Sequence, residues 1–142
     1  MTPQQVFSIC NSGALLGWLI LAIAGRRRWA APLVSGALIP ALIAILYIGL
    51  IAAHWSESHG SFSTLAGVAS LFQNPWLLLA GWIHYLAFDL FIGSWQVRDA
   101  AKHGIAHWMT LPCLALTFLF GPAGLLTYFV LRFARIRTLE LN

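Results

Sequence analysis

The chain has 142 residues, of which 60% are hydrophobic and only 8% charged. Soluble domains carry about 25% charged residues, so there is too little charge here to coat a water-soluble surface, and the composition is that of an integral membrane protein. Eight Lys/Arg against four Asp/Glu give a formal charge of +4. The basic residues flank apolar runs and form no separate basic domain, which argues for loops at anionic lipid heads and against nucleic-acid binding.

A membrane helix needs about 20 apolar residues, and four segments meet that length. The first covers roughly residues 4–24. Its "AIAG" ending, at Ala22 to Gly25, imitates a cleavage site. No Lys or Arg precedes the run, however, and Arg26, Arg27 and Arg28 follow it, the reverse of a signal peptide's charge order. An uncleaved first span is expected. With no Arg/Ser-rich transit segment in view, the expected location is a bacterial plasma membrane. Within this span, Asn11 and Ser12 form a polar insertion suited to interhelical hydrogen bonds.

The second span is expected over about 33–53, with Pro32 in its first turn. A long loop, His54 to Asn74, follows. Its latter half, Phe62 to Phe72, is apolar but too short to cross and reads as an interfacial or re-entrant helix. The third and fourth spans are expected over about 75–97 and 109–131. The expected fold is therefore one all-α membrane domain over 1–142: an antiparallel four-transmembrane-helix bundle with a short helix in its second loop. Counting Lys/Arg beside the spans gives five on one side (Arg26, Arg27, Arg28, Arg98, Lys102) and three on the other (Arg132, Arg135, Arg137). That modest bias puts the first set in the cytoplasm and both termini outside. Cys10 and Cys113 fall near opposite faces, so a disulfide is not expected.

The third span places titratable groups where each is expensive. At about 100° per residue, Ile83, Leu86, Leu90 and Val97 gather on one side, with Ser94 among them, and that side is expected to face lipid. Trp82, Tyr85, Asp89, Gly93 and Gln96 form a second stripe, with His84, Phe88 and Trp95 on its edge. Tyr85 and Asp89, four apart, can touch, and His84 could line the same cavity. An aspartate near the bilayer centre costs about 2.5–3.5 kcal/mol or more, so it needs a partner, a proton or water. Apolar surroundings disfavour either charged form; a neutral Asp89 could donate a proton and a neutral His84 accept one. The bland alternative is that both bond other helices and fix the bundle. Inward aromatics such as Trp82 and Phe88 could line a slot for a flat apolar ligand, although plain packing explains any one of them equally well.

In the fourth span Gly121, Pro122 and Gly124 interrupt the helix and predict a kink or a close approach. Thr117, Thr127 and Tyr128 could satisfy freed backbone groups or line a cavity. Asp99, His103 and His107 recur every four residues, a spacing open to a metal. Gly104 and Lys102 make a solvated interfacial loop the better reading, and no metal is expected.

Two stretches, "GWIHYLAFDLFIGSWQVRDA" from Gly81 and "LPCLALTFLFGPAGLLTYF" from Leu111, resemble the plant neoxanthin-synthase family, known from abscisic-acid-deficient mutants, and its bacterial relatives. The likeness runs over nearly the whole chain; the missing transit segment is the departure. The resemblance places His84, Tyr85 and Asp89 in the family's most recognisable motif and Gly121, Pro122 and Gly124 in its second. It implies work on a carotenoid, with violaxanthin converted to neoxanthin. Opening an epoxide to an allenic alcohol is redox-neutral and needs an acid and a base but no cofactor. The expected roles are Asp89, assisted by Tyr85, as acid and His84 as base. Trp82, Phe88, Gln96, Asn11, Thr117, Gly121, Pro122, Gly124 and Tyr128 are the expected ligand-binding residues. The expected partners are a carotenoid or other apolar isoprenoid lipid and membrane lipids; a homo-oligomer is compatible with the sequence. The competing readings are a non-catalytic carotenoid or isoprenoid-lipid binder and a small transporter or proton-linked channel.

Overall fold

The computed structural model describes residues 1–27, 29 and 38–137, and every described element is helical. Helix α1 is Pro3–Ala24, α2 is Leu38–His54, α3 is Leu65–Leu71, α4 is Pro75–Lys102, α5 is His107–Phe120 and α6 is Pro122–Ile136. A single 3₁₀ turn, Trp55–Glu57, follows α2. The expected start of the second span, residues 33–37 with Pro32 before it, lies outside the described residues, as does Arg28.

Local chemistry sets the helix starts. Thr2 and Gln5 form a reciprocal capping box before α1, with Pro3 in the first turn. Asn74 accepts from the Trp76 amide at 2.9 Å to start α4, again with proline at the first position. Thr64 caps the seven-residue α3 through the Gly67 amide, so the apolar half of the long loop does form a short helix. Three helical stretches, Pro3–Ala24, Leu38–Glu57 and Pro75–Lys102, are long and apolar enough to cross a membrane.

Helix α4 is the axis of the molecule, and α1 runs parallel to it. Trp82 meets Asn11 near their starts, Gly93 packs under Trp18 midway, and Gly25 faces Val97 near their ends. Helix α2 runs the other way, with Tyr47 against His84 and His54 stacked on Trp76. This central position overturns the expected lipid face of the third span. Ile83, Leu90 and Ser94 are fully buried, and Leu86 and Val97 nearly so, because α1 and α2 cover them. Periodicity found the stripe correctly; it could not say that a neighbour would cover an apolar side. The lipid-facing surfaces are on the outer helices instead, through Leu15, Leu19 and Ile23 of α1 and Leu42, Ile45 and Ile48 of α2.

The larger correction concerns the fourth span, which is neither continuous nor merely kinked. Helices α5 and α6 fold back on one another as a hairpin. In one continuous helix Thr117 and Gly124 would stand about 10 Å apart along the axis. Instead, a Cβ built on Gly124 would fall on the Thr117 backbone. Arg135, late in α6, donates to the Met109 sulfur at 3.1 Å, early in α5; a straight helix would part these residues by about 39 Å. The reversal occurs at Gly121, with φ +30° and ψ −87°, a conformation that L side chains rarely adopt. At 14 and 15 residues, α5 and α6 are each about 21–22 Å long, short of the roughly 30 Å hydrocarbon core. Among the described residues the expected four-span bundle is therefore not formed: three helical stretches are candidate spans, and α5 and α6 make a helical hairpin whose two ends lie together.

This changes the charge map. Arg26 donates to the Ile105 carbonyl, Arg132 pairs with Asp99 at 2.8 Å, and Arg135 reaches Met109. Arg98 and Lys102 lie in the last two turns of α4. The expected five-against-three division therefore disappears: Arg26, Arg27, Arg98, Lys102, Arg132, Arg135 and Arg137 gather at the same end.

Candidate functional site

The tip of the hairpin lies halfway along α4. Asp89 is fourteen residues after Pro75 and thirteen before Lys102, at the centre of the long helix. A Cβ on Gly121 would meet its two carboxyl oxygens at 2.9 and 3.0 Å. A helix broken inside a membrane exposes the carbonyls that end one half and the amides that start the next, and each must find a partner. Gly121 donates to the Thr117 carbonyl at 2.9 Å, and the Tyr85 hydroxyl donates to the Phe118 carbonyl at 3.2 Å. Pro122, at the first position of α6, brings no amide to satisfy. Tyr85 is also close enough to Asp89 for the two to interact, as their four-residue spacing implies.

Asp89 stands out within this arrangement. It is 7% exposed, and its Oδ2 has no hydrogen-bond partner. Among the described residues the only other buried side-chain atom in that state is His107 Nδ1. Unpaired buried polar atoms are rare in folded proteins and need an explanation.

The remaining expected site residues divide between this tip and other places. Gln96 is fully buried and donates to Thr117 Oγ1 at 3.0 Å and to the Gly124 carbonyl at 3.3 Å, tying both arms of the hairpin to α4. Tyr128 is also fully buried and donates to Asp99 Oδ2 at 2.6 Å. Asn11 accepts from Trp82 Nε1 at 2.8 Å, the interhelical bond its polar insertion suggested. Trp82 and Phe88 are 41% and 57% exposed, so neither points inward as expected. Trp82 sits at the rim of a groove of about 380 Å³ between α1, α4 and α5, with Asn11, Tyr85, Phe118 and Leu119. Phe88 instead stacks on His84, ring centres 4.5 Å apart.

His84 is where sequence and structure part most clearly. It lines a different groove, on the α2 and α3 side, beside Tyr47, Phe72 and Gly81. The cavity expected to hold His84 with Tyr85 and Asp89 is not formed: five residues of helical rotation turn the histidine to the other side of α4. Nor do Asp99, His103 and His107 share a helical face. Helix α4 ends at Lys102, Gly104 has φ +68°, and His107 Nε2 donates to the Ala22 carbonyl at 2.8 Å. Cys10 and Cys113 are free and buried in different clusters.

One cluster is not legible in the sequence. Arg132, fully buried, joins Tyr128 on Asp99 Oδ2, and His103 approaches Asp99 Oδ1 at 3.3 Å. A buried charge is expensive unless paired, so this cluster fixes the base of the hairpin to α4. Tyr128 and Arg132 stand four apart, a helical spacing that hinted at a shared partner.

The fold and site define a class: a small helical membrane protein with a carboxyl at the tip of a re-entrant hairpin. The particular family follows from comparison. The family described as ABA DEFICIENT 4-like (ABA4-like) matches residues 5–128, and the chain belongs to it. No curated protein and no solved structure matches the chain.

Proposed function

We propose that this protein modifies an oxygenated carotenoid in the membrane, by proton-transfer isomerisation of an epoxide end group. The observation that carries the reading is Asp89, a buried carboxyl with an unpaired Oδ2, set midway along the longest candidate span against a broken helix in a chain of the ABA4-like family. Intramembrane carboxyls are costly and mark functional sites by default. The groove bordered by Trp82, Tyr85 and Phe118 would receive the ring end of the ligand. Asp89, oriented by Tyr85, would protonate the epoxide oxygen. Because His84 opens onto the other groove, the base step falls to Asp89 as well: its second oxygen takes the proton from the adjacent polyene carbon as the allene forms. One carboxyl then gives and regains a proton, with no redox change. The membrane is proposed to be a bacterial plasma membrane.

The test is violaxanthin supplied to the reconstituted protein, with neoxanthin followed by chromatography. Asp89→Asn should lower the rate at least about a hundredfold, the usual span for a lost general acid. Full activity in that variant refutes the assignment. The enclosure of Asp89 favours a second reading, a carotenoid binder that anchors an end-group hydroxyl on Tyr85 without turnover. Pigment that co-purifies with the protein but is never converted would support it.

A further inference from the structure

The groove on the other side of α4 contains polar groups that the proposed chemistry does not use. His84 is nine residues after Pro75, about 13–14 Å down the helix axis and inside the expected hydrocarbon layer. Its side chain is exposed. Among the described residues it has no hydrogen-bond partner; its contacts are the rings of Phe88 at 4.5 Å and Tyr47 at 5.6 Å. The Tyr47 hydroxyl is likewise without a hydrogen-bond partner there. Two polar side chains in ring contact, each without a partner at hydrocarbon depth, are costly unless something brings them one.

The surroundings state what that partner must be. The groove holds about 350 Å³, within the usual range for small-molecule sites. Trp55, Phe62 and Phe72 line it from the loop side, Trp55 and Phe62 in ring contact at 5.7 Å. That loop is pinned by Glu57, which accepts from Asn74 at 3.3 Å and faces His54 at 3.2 Å. The described Lys and Arg residues all gather at the opposite end of the molecule. Among the described residues a phosphate or carboxylate head would find no Lys or Arg here, and the Glu57 carboxylate, on the loop that lines the groove, opposes it. This charge distribution favours a neutral occupant.

We propose that the groove between α2, α3 and α4 is a second ligand site, which binds a neutral apolar lipid through one hydroxyl or carbonyl oxygen held by His84 and Tyr47. The aromatic lining suits a ring or a conjugated chain. The site shares no lining residue with the Tyr85 groove and does not depend on any turnover at Asp89.

All-trans-retinol, a neutral ring-ended polyene alcohol, is the probe. Its binding to the full chain in nanodiscs is read by energy transfer from tryptophan. The expected result is saturable binding, with retinoic acid, the same skeleton carrying a carboxylate, binding at least tenfold more weakly. His84→Leu should weaken retinol at least tenfold, and His84→Gln, which keeps a hydrogen-bonding group, should stay within about threefold of the parent. Recovery in the glutamine variant separates a hydrogen bond from a folding defect. The proposal is overturned if retinol does not saturate, if His84→Leu binds as the parent does, or if both variants lose binding equally. Neoxanthin formation does not enter this readout, so the catalytic reading can fail while this one stands.

Discussion

Replacing Gly124 with valine asks directly whether the last third of the chain is a hairpin. In the hairpin, a Cβ at this position falls on the Thr117 backbone, so α5 and α6 must separate. Overpacking of this kind costs about 1–3 kcal/mol. The separation also strains the Gln96 bonds to Thr117 and to the Gly124 carbonyl, each worth about 0.5–1.5 kcal/mol. The sum is about 2–6 kcal/mol. In a straight or kinked span, positions 117 and 124 would stand two turns apart, and valine, a residue well tolerated in membrane helices, would cost little. Ala123→Val is the control, because Ala123 is exposed beside it. Reversible unfolding in mixed micelles, followed by far-UV circular dichroism, would measure both. A Gly124→Val protein as stable as Ala123→Val would rule out the hairpin. A second readout needs no unfolding: cysteines at Met109 and Arg135 should cross-link within one chain, which a continuous helix forbids.

Three further outcomes are expected. Arg132→Met should destabilise by about 3–5 kcal/mol, since it leaves Asp99 buried with its main charge partner gone, whereas Arg132→Met combined with Asp99→Leu should lose less than the single change; additive losses on the same unfolding assay would refute the buried pair. Cysteines introduced at Arg27, Lys102 and Arg137 should all react with a membrane-impermeant reagent from the cytoplasmic side, and one at Ser58 from the other; labelling of position 137 opposite to position 27 would refute the one-ended charge map. In the turnover assay Tyr85→Phe should fall less than Asp89→Asn, because it removes an orienting hydroxyl and leaves the carboxyl; equal losses would show Tyr85 to be essential in its own right.

The class of protein, the family resemblance, the extent of α1 and the start of α4 follow from the amino-acid sequence alone. These rest on local quantities: apolar runs of a certain length, Thr2 and Asn74 with their prolines, and Gly121–Pro122 as a break. The sequence also determined that Tyr85 and Asp89 share a helix face, because a spacing of four is a local fact. Three things were decided only by tertiary structure. Whether Gly121 kinks a span or reverses it depends on what α4 offers the broken tip. Tyr85, Gln96 and Asp99 meet the freed backbone and the buried arginine, and that support is what makes a hairpin tolerable inside a membrane. Which apolar stripe meets lipid depends on how many neighbours a helix has, and α4 has them on both sides. Whether His84 joins Asp89 depends on where α2 packs, and α2 takes the histidine to its own side of the molecule.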